Sequence, residues 1–245
     1  MIRLTEIRLP IDHGPDDLEK AICKKIGIST TDLIRFEIFK RAYDARKSSA
    51  LSLIYTLDVS IKDEDEVWKR LAHDPHIRSS PDTNYHFVTR LQGAAQSKSN
   101  LRPVVIGFGP CGIFAALLLA QMGLKPIILE RGKAVRERTQ DTWGLWRKKI
   151  LNPESNVQFG EGGAGTFSDG KLWSQVKDPK FYGRKVLHEF VKAGAPDEIL
   201  YVSKPHIGTF RLVGVVEKMR QEIIQLGGEV RFSQKVVGFD IEDQK

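Results

Sequence analysis

The stretch "RPVVIGFGPCGIFAALLLAQMGLKPIILERG", residues 102–132, limits the fold of this chain more than any other. An apolar run, Val104 to Ile106, leads directly into Gly107, Gly109 and Gly112 in G-x-G-x-x-G spacing. An apolar helix is predicted from Pro110 to Met122, then a second apolar run from Pro126 to Leu129. Short apolar runs without alternation suit strands buried on both faces, so the segment predicts a parallel βαβ unit. In that setting the first glycine permits a tight turn and the second lets backbone approach a pyrophosphate. The third brings the helix close against the strand. The start of the helix offers unpaired N–H groups and the positive end of its dipole, and Pro110 falls where a donor is dispensable.

Glu130 ends the second strand 23 positions after Gly107, where a carboxylate can accept hydrogen bonds from ribose hydroxyls. Strand, spacing, helix, second strand and terminal acid agree on a dinucleotide site. FAD and NAD both carry a free 2′-hydroxyl, so the unit alone leaves the two open, while the carboxylate argues against a 2′-phosphate and hence against NADPH at this site. Cys111 lies at a helix N-terminus, a setting that can activate a thiol. With no resolving cysteine or histidine nearby in sequence, it reads instead as a small side chain beneath a cofactor.

A second glycine-dense stretch, "NVQFGEGGAGTFSDGKLW", spans Asn156 to Trp173. Gly160, Gly162, Gly163 and Gly165 admit close backbone approach to a ligand, and Thr166 and Ser168 add hydroxyls. Phe159, Phe167, Leu172 and Trp173 flank the glycines as apolar anchors, which a solvated linker would not need.

Residues 1–91 read as a separate α+β domain. "IRLTEIRLPI" alternates as a strand, and "GPDDLEKAICKKIG" places Leu18, Ile22 and Ile26 on one helical face with Gly27 as a stop. "DLIRFEIFKRAYD" and "SALSLIYTLDVSI" form a hairpin, the second strand with Leu53, Tyr55, Leu57 and Val59 on one side. "DEDEVWKRLAHD" is a short helix and "NYHFVTRL" a candidate closing strand. The order βαββαβ predicts a ferredoxin-like unit. Residues 92–101 are small and polar and read as a linker, so a second domain is expected over 102–245. Near its end a helix, "RLVGVVEKMRQEIIQLGG", stops at Gly227 before a predicted strand pair, "EVRFSQKVVGFDIE".

The net charge of +7 raises the question of nucleic acid. The basic clusters "FKRAYDARK", "ERGKAVRER" and "WRKK" are interrupted by acids or fall on amphipathic surfaces, so they read as solvated faces. The first domain also lacks the aromatic strand signatures of RNA-binding sheets. No apolar run of 18 residues and no leader pattern is present, and the two cysteines match no ligand or disulfide framework. A cytoplasmic protein without a membrane partner is expected.

These stretches, with "AGAPDEILYVSKPHIGT" and "EIFKRAYDARK", resemble the uncharacterised FAD-dependent dehydrogenases of the NAD(P)/FAD-dependent oxidoreductase group. The resemblance implies an α/β fold: a partial Rossmann-like, glutathione-reductase-like FAD-binding domain preceded by the small ferredoxin-like domain. It implies FAD along Gly107, Phe108, Gly109, Pro110, Cys111 and Gly112, with Glu130, and with Arg131 at the adenosine end. Gly162, Gly163, Gly165 and Thr166 would pass near the pyrophosphate and ribityl–flavin side, and Val236 would set its backbone against adenine. Relatives usually carry an Asp where "HIGTFRL" has Phe210. The family's late strand and second, Gly-Asp glycine motif do not follow Val236, so the chain reads as the N-terminal part of a roughly twofold longer flavoprotein. NAD(P)H is an implied electron donor of that longer protein, acting on an unassigned small-molecule substrate or acceptor. A non-catalytic module with an incomplete dinucleotide site is the alternative. His206 and Lys171 are polar residues near the expected loops; a structural histidine and a surface or phosphate-facing lysine are the readings preferred over catalysis.

Overall fold

The computed structural model describes residues 1–46, 51–91 and 101–240. It combines an antiparallel sheet and a parallel sheet, each with its own helices, in two compact units. Residues 1–83 with 198–205 form the first unit, and residues 84–197 with 206–245 the second. All of the expected 92–101 linker except Leu101 lies outside the described residues.

In the first unit β1 (Ile2–Pro10), α1 (Asp17–Ile26), β2 (Leu33–Asp44), β3 (Ser52–Ile61), α2 (Glu64–Leu71) and β4 (Ile77–Ser79) follow in that order. The sheet runs β2-β3-β1-β4 with every neighbouring pair antiparallel. β3 alternates strictly, burying Leu53, Tyr55, Leu57, Val59 and Ile61. Leu57 faces Leu4 on one side and Ile38 on the other, and Leu18, Ile22 and Ile26 of α1 and Val67 of α2 close the same core. Gly27 ends α1 at φ 73°, its N–H donating to Cys23 O at 2.8 Å. On the opposite sheet face the Arg3 guanidinium forks onto Asp58, with both contacts at 2.7 Å, and stacks 3.6 Å from the Phe39 ring. The Arg41 N–H donates to Tyr201 O at 2.7 Å, which ties segment 198–205 to β2.

One expected strand is absent. "NYHFVTRL", residues 84–91, has aromatic alternation but forms no strand, and the place beside β1 where a closing strand pairs is filled by β4, from Ile2↔Ser79 to Leu4↔Ile77.

The second unit holds β5 (Val104–Ile106), α3 (Pro110–Gln121), β6 (Ile127–Leu129), α4 (Val135–Lys148), α5 (Tyr182–Lys192), α6 (Thr209–Gln225) and β7 (Glu229–Arg231). Its parallel sheet runs β5-β6-β7. α3 is apolar nearly all round and buries Ile113, Ala116, Leu117 and Ala120. α6 presents a stripe of Leu212, Val215, Val216, Met219 and Ile223. Of the strand pair expected after Gly228 only Glu229–Arg231 forms, and the described residues beyond it, up to 240, carry no strand.

Candidate functional site: a glycine-walled cavity at the ends of the parallel strands

Two cavities meet at the glycine segments of the second unit. The larger, about 370 Å³, opens at the C-terminal ends of β5 and β6 and is lined by Gly107, Gly109, Glu130, Arg131, Gly163 and Val236 among others. The smaller, about 190 Å³, is bounded by Pro110, Phe114, Gly162, Gly165, Thr166 and Val216 among others. Pro110 follows Gly109 directly, and Gly162 precedes Gly163, so the two cavities lie on either side of one pair of loops.

The turn behaves as its glycine spacing requires. A Cβ at Gly112 would sit 2.0 Å from Gly107 O, so the first turn of α3 packs on the turn before it only if that residue is glycine. Gly109 is different: a Cβ there meets only Gly163 Cα, at 3.9 Å, on the cavity side. The first α-helical bond of α3 runs from the Ile113 N–H to Gly109 O at 2.9 Å. The N–H groups of Cys111 and Gly112 therefore precede the intrahelical ladder and are available at the helix N-terminus. Cys111 itself is exposed.

Glu130 is buried at the end of β6, and its carboxylate is fixed by backbone. Oε2 accepts the Phe108 N–H at 2.6 Å and Oε1 the Gly132 N–H at 2.8 Å. Each oxygen keeps a second acceptor site. Phe108 packs inward, its ring edge-on to Phe232 at 6.3 Å.

The second glycine segment turns its bare backbone largely onto protein. The Gly162 N–H donates to Phe108 O at 2.9 Å and the Glu161 N–H to Lys133 O at 3.1 Å. Gly160, at φ +120°, lies so close to Arg138 that a Cβ would meet its Cδ at 2.4 Å. Thr166 is buried with its hydroxyl donating to Glu161 O at 3.2 Å. Gly163 lines the larger cavity, whereas Gly162, Gly165 and Thr166 face the smaller one.

Arg138 organises this wall. It has no exposed surface, and it donates to Asn156 O at 2.7 Å and to Glu161 O and Val157 O at 2.6 Å each. Burial lowers its pKa to about 10, still charged at neutral pH, with Glu130 and Glu161 opposing the shift. This corrects the reading of "ERGKAVRER" as a solvated face. The signal lay in the spacing: Val135, Arg138 and Thr142 form an i, i+3, i+7 stripe on α4, and all three are buried. Glu161 is equally enclosed, its Oε2 accepting the Val135 N–H at 2.7 Å and Arg220 Nη1 at 2.8 Å. Its Oε1 is buried with no partner among the described residues, and burial raises its pKa.

At the rim Arg131 lies 3.9 Å above the Phe159 ring and donates to Glu154 at 2.8 and 2.6 Å; Lys235 reaches the same carboxylate at 3.0 Å. These contacts, first Lys235 and then Arg131, lower the Glu154 pKa. Neither Glu154 nor Lys235 was singled out in the sequence, because their approach joins segments 81 residues apart. His206 and Lys171 lie outside the larger cavity: His206 is exposed, and Lys171 pairs with Asp169 at 3.2 Å at the edge of the smaller one. Phe210, where the resembled family carries an acid, is 97% exposed.

A family described as "Domain of unknown function (DUF8436)" matches residues 1–60. The whole chain is similar to an uncharacterized protein of Clostridium beijerinckii, 45% identical over 246 residues, which is 100% of this chain and 44% of that protein. A second similarity is to the dual trans-enoyl reductase/FAD-dependent monooxygenase tazHJ of Aspergillus terreus, 28% identical over 149 residues, 59% of this chain and 19% of that protein. The chain thus spans less than half the length of these curated relatives. Among the described residues no helix is long and apolar enough to cross a membrane.

Proposed function

We propose that this chain supplies the dinucleotide-binding part of an FAD-dependent oxidoreductase, with a Rossmann-like, glutathione-reductase-like unit following a ferredoxin-like one. The observation that carries this reading is the larger cavity. It sets the N-cap of α3 at Gly109, where a Cβ would meet only Gly163 Cα at 3.9 Å, and a backbone-anchored carboxylate around one space of about 370 Å³. That donor set fits a diphosphate bridged between sugars. The N–H groups of Cys111 and Gly112 would hold the pyrophosphate, and Gly109 and Gly163 would let it approach. Glu130 would accept from the ribose hydroxyls, and Arg131 over Phe159 would flank adenine together with Val236. When bound, FAD supplies hydride or electron transfer, and the protein's part is to bind, orient and exclude water. The FAD-dependent name of the Aspergillus relative supports the choice of flavin over NAD. A nicotinamide dinucleotide as donor, the substrate and a cytoplasmic location belong to the same proposal for the longer protein.

Gly109→Ala tests it, since the new methyl has room against Gly163 yet intrudes where phosphate would lie. The 245-residue protein retains flavin absorbance after desalting, and the variant binds FAD and ADP at least ~10-fold more weakly, about 1.4 kcal/mol, with its melting temperature unchanged. Wild-type protein that retains no flavin refutes the reading.

A further inference from the structure

Gly162, Gly165 and Thr166, which the resemblance sets near the pyrophosphate and ribityl–flavin side of a cofactor, form one border of the smaller cavity, and its remaining walls have a distinct chemistry. We propose that it is the substrate slot, and that it takes the neutral aromatic ring of a small-molecule substrate; this assignment to a substrate rests on the nucleotide reading of the larger cavity.

The walls are apolar: Ile113 and Phe114 from α3, Phe190 from α5, and Leu212, Val216 and Met219 from α6. Phe114 and Phe190 meet edge to face at 5.3 Å and 75°, leaving ring surfaces as part of the lining. The polar side chains on the lining are already committed. The Thr166 hydroxyl donates to Glu161 O at 3.2 Å. The Ser168 hydroxyl donates to Gly165 O at 2.7 Å and accepts the Gly170 N–H at 3.0 Å. Lys171 is paired with Asp169 at 3.2 Å and stands exposed at the rim. A charged or strongly polar ligand would leave water for a surface with no uncommitted side-chain partner, so the slot selects against it.

Size narrows the class further. An apolar cavity of ~150 Å³ stays dry and takes up benzene. At about 190 Å³ this one suits a single substituted ring or a compact bicycle. Position gives the role. Pro110, Gly162 and Gly165 border the slot while their sequence neighbours Gly109 and Gly163 border the larger cavity, so a ring held here lies one loop away from a dinucleotide.

The test is calorimetric titration of the chain with toluene and with benzoate, each in the absence and presence of saturating FAD. Toluene binds in both conditions and benzoate at least ~10-fold more weakly. Leu172→Trp, which fills the slot from its half-buried loop side, abolishes toluene binding while FAD binding is unchanged. Leu212→Ala, which enlarges it, shifts preference from toluene to naphthalene at least ~5-fold and guards against a misfolded Trp variant. FAD binding without toluene binding overturns the slot and leaves the nucleotide reading intact. Displacement of toluene by FAD overturns it too, because the slot then belongs to the cofactor. Toluene binding without FAD binding overturns the nucleotide reading and with it the assignment to a substrate.

Discussion

Replacing Arg138 by Leu removes the only guanidinium among the described residues that donates to Asn156 O, Val157 O and Glu161 O together. The side chain is fully buried, so solvent cannot replace it. Glu161 O keeps the Thr166 hydroxyl as a donor, so Asn156 O and Val157 O are the two carbonyls left without one, and at a minimum of about 1 kcal/mol each the floor is near 2 kcal/mol. Removing one partner from a buried charged network costs about 3–5 kcal/mol, so a loss of roughly 2–5 kcal/mol is expected. Against a typical total of about 5–15 kcal/mol this is a large share. Arg138→Lys keeps the charge but loses the planar fork that reaches three carbonyls at once, and about half the loss is expected. Urea unfolding followed by the fluorescence of Trp143 and Trp146, both on α4, reads the change in the second unit. A loss below about 1 kcal/mol for Arg138→Leu would show that the loop does not depend on this anchor and would refute the argument.

Gly112→Ala is expected to destabilise the second unit by about 2–3 kcal/mol or more, since its Cβ meets Gly107 O at 2.0 Å and the obstacle is backbone. A thermal melt within 1 °C of wild type contradicts this. Glu161 gives a pH signature. Burial raises its folded pKa above the ordinary 4.5, so the folded state holds the proton more tightly than the unfolded chain. Its contribution is full below 4.5 and declines as pH rises through the higher folded value. Glu161→Gln therefore shows a flatter stability–pH curve over that window, and identical curves for the two proteins contradict the assignment.

What could be read from the sequence was what depends on short-range pattern. The β3 alternation, the Gly27 stop and the Gly107–Gly112 turn each involve residues within a few positions of one another, and each appears as expected. "NYHFVTRL" shows the limit: its alternation is a real strand signal, but the strand that pairs beside β1 is the short Ile77–Ser79 that precedes it. Arg138 shows another limit. In "VRER" its charge reads as solvent-facing, and only the helix stripe with Val135 and Thr142 marks it as interior. Its three acceptors lie 18 to 23 residues on, in a segment whose glycines hide which carbonyls need a donor.

The glycines of 160–165 also carry more than one role. Missing side chains first suggest room for a ligand, yet Gly160 yields its space to Arg138, and the Gly162 N–H is given to Phe108 O. Phe108 in turn gives its N–H to Glu130, so one residue joins the Glu130 carboxylate to the loop through both its backbone polar groups. Arg138 and Glu161 fix the same loop from behind. A cavity wall held this way is formed before any ligand arrives, and ligand binding then does not have to order it. That is the physical reason to expect affinity from the part of the site contained in this chain, even though the chain spans only 44% of its Clostridium relative.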